Sequence, residues 1–565
     1  MGSYRTVLEQ RIRQRRQTLE EFAEYAEAFA REHGEVGTLG VRHLQRLVAG
    51  RGARGKPLGP VRPATARLLE RIFGDSIEAL LSEPGPCPAA ADTASAADHS
   101  EGHLKGPRRA PAEPSAGTEP PRTAGTEPPT TKTEPSGDLL SAVDWLDQHS
   151  GRTAGTTKGK VLSRLSRLNV GDLLDRNARR SRVARTTVAD ALAEYYGGGV
   201  ANGHSVHRAR ADGREFGTSI LTRPDWTGLG IPLDLERDVL ALAERHSAPV
   251  AQPIDSRKAV HRLAEATALG VRMTNAPLYR LHDVDFTDDT VNGSLGLAPF
   301  AEYALTSDLL EGELLDATSR GKPTRSGELP LRDGYLPDVS GVLDMGARNC
   351  VGGVLALCAI ARPADPYRGP ADFALLVQER SGNVLNATGQ LSVIPKGFHQ
   401  PLKEARAETR IGSTLFRELE EELFGRPEVD GTSGTRVAAP MHQSRLSAPM
   451  RWLLDEPGRL RAECTGFGLN LVSGNYEFAS LVVIEDEDFW TRFGGDIEAN
   501  WEASGLRLYS TLDRDLLNQL IADETWSNEG LFALLQGLRR LNEQDDPRLN
   551  IPEVMTTLTK SASEP

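Results

Sequence analysis

The sequence predicts a multidomain protein with an all-α N-terminal domain, a disordered Pro-rich linker and an α/β or α+β C-terminal body. Three observations carry that prediction. Between Pro84 and Gly137 there is no aromatic residue and Leu104 is the only large aliphatic one, so this stretch cannot bury enough surface to offset its ordering entropy. Before it, apolar residues recur at helical spacing; beyond Val206, strand-like apolar runs alternate with helices. At 565 residues the chain also exceeds what one hydrophobic core organises.

Taken in order, residues 1–83 read as short helices. Thr18 caps the first with Glu21 three residues on, Phe22, Tyr25, Ala26 and Phe29 follow at helical spacing, and Gly34 ends it. Thr38 to Ala49 forms another, with Leu39, Leu44, Leu47 and Val48 facing a core and Arg42, His43, Gln45 and Arg46 left outward. Pro63 to Phe73 and Ser76 to Leu81 complete the set. Residues 84–137 are the linker, with AGTEPP at Ala116 to Pro121 and again at Ala124 to Pro129. Residues 138–200 form a basic helical segment punctuated by Gly151, Gly155 and Gly171.

Residues 201–334 read as an α+β region without a legible role. Strands at Leu278 to Phe286 and Ser294 to Leu297 flank a turn at Asn292-Gly293, and a helix runs from about Phe300 to Ala317. Residues 335–545 carry strand-like runs at Gly353 to Ala361, Phe373 to Val377, Leu391 to Pro395, Leu469 to Val472 and Phe478 to Ile484. Helices at Ser413 to Phe424 and Ser527 to Leu541 accompany them, and 546–565 is a tail.

A net charge of −13 argues against a protein coated with nucleic acid, but the charge is uneven. From Arg42 to Arg71 the basic residues face one acid, Glu70. A second basic run, Lys158 to Arg185, reads either as a nucleic-acid surface or as a hairpin packed on the acidic body. The start lacks the apolar core of a secretory signal, and no apolar stretch is long enough to span a bilayer, so a cytoplasmic location away from membranes is expected. Cys87, Cys350, Cys358 and Cys464 form no CxxC pair, which argues against a zinc knuckle or a disulfide framework. His204 and His207 lie in a Gly-rich stretch and read as a polar loop. Neither Gly-x-Ser-x-Gly nor the GxxxxGK[ST] phosphate loop is present.

The N-terminal helices resemble the lambda-repressor-like (XRE-like) helix-turn-helix domains of bacterial, actinobacterial-type regulators, over about Tyr4 to Leu81. The resemblance implies that the helix Thr38 to Ala49 enters the major groove, with Arg42, His43, Gln45 and Arg46 at base-reading and phosphate positions. Arg51, Arg54 and Lys56, in the Gly-rich loop beyond, would suit the phosphate backbone. The segment from Phe22 to Gly37 is longer than the family's usual helix-turn core. A solvated face on a small docking domain is the alternative.

The most informative local motif in the body is GSTLFRELEEELFG, Gly412 to Gly425. Glu418, Glu421 and Glu422 fall at i, i+3 and i+4 on one helix face beside an apolar stripe of Leu415, Leu419 and Leu423, and Arg417 stands within reach of Glu421. This resembles the Nudix box, which Arg417, Glu418, Leu419, Glu421 and Glu422 match residue by residue. The resemblance implies Glu418, Glu421 and Glu422 as magnesium ligands, with Glu421 and Glu422 catalytic, and Lys396, His399 and Arg410 as phosphate contacts. LSVIPKGF at Leu391 to Phe398 looks like the strand and turn before the box, Glu477 like a further acid, and WSNEGLFALLQGL like the closing helix. Thr409 and Lys403 stand where the family has its upstream Glu and Gly, and Phe424 where it has its last Gly. Those departures leave open a working loop with an insertion or a fold that has lost hydrolysis.

Together these features lead to the expectation of a DNA-binding transcriptional regulator, homo-oligomeric, whose Nudix-like C-terminal domain senses a nucleotide or diphosphate-containing small molecule. The alternatives are a Mg-dependent Nudix-type diphosphate hydrolase with a helical docking domain, and a non-catalytic adaptor.

Overall fold

In the computed structural model the chain divides into two units, Met1–Arg122 and Thr123–Pro565. The described residues of the first are 5–14, 19, 22, 25, 26, 29, 41–49, 61, 63–73 and 76–82. Those of the second are 137–198, 203–243, 254–381 without 272 and 288, 389–424, 441, 445–497 without 496, and 503–557. The linker expected at 84–137 lies outside the described residues except for Gly137.

In the first unit the apolar stripes read from the sequence meet in one core. Helices Val7–Gln14, Val41–Ala49, Pro63–Phe73 and Ile77–Leu81 bury Leu8, Ile12, Leu44, Leu47, Leu69 and Leu80 around Phe22. Phe22 stacks on Phe73 with ring centroids 5.3 Å apart. Glu70, the lone acid of the basic run, is spent on the fold: its carboxylate accepts the Ile77 N–H at 2.8 Å. Ser76 caps the same short helix by accepting from the Ala79 N–H.

The second unit is an α+β body built on a mixed sheet. Its strands in chain order are β1 Ser205–Ala211, β2 Arg214–Thr222, β3 Thr227–Pro232, β4 Asp238–Leu242, β5 Pro277–Asp285, β6 Val291–Pro299 and β7 Gly352–Arg362. There follow β8 Asp372–Arg380, β9 Leu391–Val393, β10 Lys396–Phe398, β11 Leu460–Asn470, β12 Tyr476–Ile484, β13 Ala503–Ser510 and β14 Val554–Thr556. The large sheet runs β13-β8-β7-β12-β11-β2-β1-β14, with β10 on β7, β9 on β8 and β3 on β11; β4-β6-β5 make a second sheet. At the centre β7 and β12 run parallel, Tyr476 opposite Gly352 through Ile484 opposite Ile360.

Both faces of that centre are covered, which is why β7 reads as a continuous apolar run. Val354, Ala356, Cys358 and Ile360 belong to one core with Leu415 and Leu419 of the carboxylate helix, Ile411–Glu422, and with Leu423 at its C-cap. Leu355, Leu357, Ala359 and Ala361 belong to the other, with Leu531, Phe532, Leu534, Leu535 and Leu538 of the closing helix, Asn528–Asn542. Close approach is permitted by Gly537, where a Cβ would stand 2.8 Å from Leu357. The Arg362 guanidinium pairs with Asp372 across the β7–β8 hairpin.

Several expectations change. β1, β2 and β3 join the same large sheet as β7 to β13, and β14 pairs with β1, so the divisions at 334/335 and 545/546 do not separate sheets. These pairings are non-local and leave no mark on local periodicity. Asn292 and Gly293 lie inside β6 rather than at its turn; the chain reverses before it, where Asp289 takes a φ of 55°. The helix expected from Phe300 to Ala317 is two, Phe300–Ala304 and Asp308–Thr318. His204 and His207 are buried, and His207 lies within β1, its Nε2 accepting from the Gln536 amide at 3.1 Å. The basic segment packs on the body: Arg176 pairs with Glu265 at 2.6 Å and Arg180 with Asp316 at 2.7 Å. No helix among the described residues is long and apolar enough to cross a membrane.

Because Leu419 is fully buried between the carboxylate helix and the sheet, Leu419→Ala is expected to lower stability by about 2–5 kcal/mol, read from urea unfolding midpoints at unchanged m.

Candidate functional site

The carboxylate helix starts where Asp238 of β4 meets it. The Asp238 carboxylate accepts the Gly412 N–H at 2.8 Å, so an acid from another sheet holds the positive end of the helix. Burial nevertheless pushes that carboxyl up to about 6. Arg410, at the N-cap position, is half-buried and contributes no side-chain cap.

Three of the helix carboxylates have identified protein partners. Glu418 lies over Gly397, where a Cβ would stand 2.3 Å from its carboxyl carbon, and accepts from the Arg417 guanidinium at 2.8 Å. Arg417 therefore holds its neighbour Glu418, and its other arm donates to the Gln400 carbonyl at 3.0 Å. Glu422 is buried and accepts the Lys396 backbone N–H at 2.7 Å. Glu420 is fully buried and accepts both the N–H and the hydroxyl of Ser447, which caps the helix Ala448–Asp455. Glu421 is half-buried. Among the described residues no three His, Cys, Asp or Glu side chains converge to hold a metal. As arranged, these residues do not fit the magnesium ion that the Nudix resemblance implies, because no three acids converge and one oxygen each of Glu418 and Glu422 is taken by the Arg417 guanidinium and the Lys396 backbone N–H.

The other face of the sheet carries a second polar cluster. Glu477 alternates with Phe478, which packs toward the carboxylate helix, so Glu477 lies on the closing-helix side and does not join Glu418 and Glu422. There Lys396 Nζ pairs with Glu529 at 2.7 Å, and Asn470 Nδ2 donates to the other Glu529 oxygen at 3.3 Å. Burial opposes ionisation of Glu529, but the Lys396 ammonium outweighs it and holds the carboxyl below its ordinary range. Glu477 has no such cation of its own; burial and the Glu529 charge push it up to about 8. Lys396 is thus the hinge between the two clusters, its backbone serving one face and its ammonium the other.

His399, expected at a phosphate, is instead wholly buried. Its Nε2 donates to the Thr409 carbonyl at 2.8 Å, which leaves Nδ1 of the neutral ring to accept the Tyr476 hydroxyl at 3.0 Å. Burial lowers its pKa to about 3. The ring holds the loop ahead of the carboxylate helix and is closed to ligands. Glu408 does the same for Lys403 and Glu404, accepting their N–H groups at 3.3 and 3.2 Å. Lys396, also expected at a phosphate, is committed to Glu529.

Of the residues expected on DNA, Arg46 is exposed and His43 half-buried on the helix Val41–Ala49. The side chains of Arg42 and Gln45, and the whole of Arg51, Arg54 and Lys56, lie outside the described residues. Asp238, Glu420, Ser447, Asn470 and Glu529 were missed by sequence reasoning; only Glu529 carried a signal, its place behind the Ser527 N-cap of the closing helix. No protein-family model matches this chain, and no curated protein matches it.

Between the ordinary glutamate value of 4.5 and about 8 the folded chain holds a proton on Glu477 that the unfolded chain releases, so this residue's contribution to stability falls as pH rises through that window. Glu477→Gln keeps the neutral form, and its stability relative to wild type is expected to grow from about pH 5 to about pH 8, measured by urea midpoints. A pH-independent difference would contradict it. Lys396→Met leaves Glu529 buried without its cation, and a loss of about 3–5 kcal/mol is expected in the same measurement.

Proposed function

We propose that this chain is a DNA-binding transcriptional regulator whose C-terminal region is Nudix-like and binds a nucleotide or diphosphate-containing small molecule without hydrolysing it. The observation that carries the reading is the commitment of Glu418, Glu420 and Glu422 to Arg417, Ser447 and the Lys396 N–H. A hydrolase of this type needs carboxylates available to a cation and a water; a sensor needs only a rigid scaffold.

Three features support the Nudix-like part. The motif Arg417-Glu418-Leu419-x-Glu421-Glu422 sits on a helix against one face of a mixed sheet, a second helix covers the opposite face, and the short strands β9 and β10, the latter containing Gly397, precede the motif. The DNA-binding part is supported by a small helical core that leaves Arg46 exposed on the helix Val41–Ala49, inside a run where Glu70 is the lone acid and is turned to the fold. A sensor joined to its DNA-binding unit by a long linker gains coupling by pairing copies, so a homo-oligomer belongs to the proposal.

The test uses the full chain in electrophoretic retardation with DNA from upstream of its own gene. Binding that weakens with salt, and falls at least tenfold in Arg42→Ala with Arg46→Ala, is expected. Adding ADP-ribose should shift retardation without consuming the nucleotide. Magnesium-dependent turnover of ADP-ribose, lost in Glu421→Gln with Glu422→Gln, would replace the sensor with a hydrolase; no salt-dependent retardation would remove the DNA-binding part.

A further inference from the structure

Away from the carboxylate helix, the body holds a cavity of about 440 Å³, within the size range of small-molecule sites. Its walls come from three helices, Val170–Arg180 of the basic segment, Ser256–Leu269 and Asp308–Thr318. The wall is lined by ion pairs: Arg176 with Glu265, Arg180 with Asp316, and Arg262 with Asp308 at 2.8 Å. His261 also meets Glu265, at 2.8 Å.

The lining is neutral overall, with three cations and three carboxylates left once these pairs are removed, but the two sets differ in how far they are engaged. Glu265, Asp308 and Asp316 each face a guanidinium. Glu313 is spent on the N–H groups of Leu331 and Arg332, at 2.9 and 3.0 Å, and the charge of Glu311 acts on Arg262. On the cationic side, Lys258, Arg320 and Lys322 line the same cavity with exposed side chains that make no hydrogen bond or ion pair among the described residues. Against them stands Glu328, itself exposed. Inside, Arg176 and Arg262 each keep an Nε–H without a partner. Most of the carboxylates are thus engaged, while the groups left without partners among the described residues are donors, two Nε–H groups and three exposed cations.

We propose that this cavity is a binding site for a small oxyanionic metabolite, one bearing phosphate or carboxylate groups. Lys258 approaches from one helix, and Arg320 and Lys322 from the turn after another, so a polyvalent anion draws together elements that the ion pairs already tie to the basic segment. The site therefore lies where the helices that follow the linker dock on the body. The inference does not rest on the nucleotide reading of the carboxylate helix.

The full chain is tested by thermal unfolding with pyrophosphate, with citrate and with sodium chloride at equal ionic strength. A rise in Tm of several degrees with either oxyanion beyond the chloride control is expected, because ligand held by the folded state alone stabilises it. Response to pyrophosphate alone names a phosphate ligand, to citrate alone a carboxylate ligand, and to both the shared oxyanion chemistry. Lys258→Ser with Arg320→Ser and Lys322→Ser, all exposed and without side-chain partners among the described residues, should fold normally and lose the rise, while Glu421→Gln should keep it. No rise beyond chloride, or a rise unchanged in the triple variant, overturns the proposal.

Discussion

A carboxylate inside an apolar sandwich is tolerable only when it finds a donor, and that constraint organises the body of this protein. Glu418, Glu420, Glu422 and Glu529 are buried beside the central strands. Each is matched to a separate group: a guanidinium, a Ser447 hydroxyl and N–H, a backbone N–H, and an ammonium. The same rule recurs at Asp238, which meets the amide end of the carboxylate helix, and at Asp308, which meets Arg262.

Lys396 shows how tightly the two layers are joined. It follows the Ile394-Pro395 bond and begins β10, beside Leu355 of β7. From there one residue serves Glu422 on one face and Glu529 on the other. The carboxylate helix, the central sheet and the closing helix are consequently registered by polar contacts as well as by two apolar cores. A region built so is suited to holding shape around a ligand. It is less suited to lending several carboxylates at once to a metal ion.

Much of the scaffold was legible because it is local. β7 announced itself as an unbroken apolar run, and the stripes Leu415, Leu419, Leu423 and Leu531, Leu534, Leu538 announced the two helices that cover it. What could not be read was pairing across the chain. Ser447 lies 27 residues from Glu420 and Glu529 lies 133 from Lys396, and nothing in either neighbourhood encodes the other. His399 illustrates the cost: its position next to a Gly turn suggested a ligand contact, but burial between Thr409 and Tyr476 makes it a strut. Arg417 likewise turned to Glu418 rather than to Glu421, with Glu418 lying against Gly397 of β10 where a Cβ would stand. The edge strand Val554–Thr556 hid in a segment that looked like a tail.

The central claim is that Glu418, Glu420 and Glu422 of the helix Ile411–Glu422 are each engaged by a separate protein donor and do not converge on a divalent cation. Calorimetric titration of the full chain with magnesium chloride tests it most directly. The account predicts no saturable, one-to-one binding that depends on this helix. Stoichiometric binding that disappears in Glu418→Gln with Glu422→Gln would contradict it.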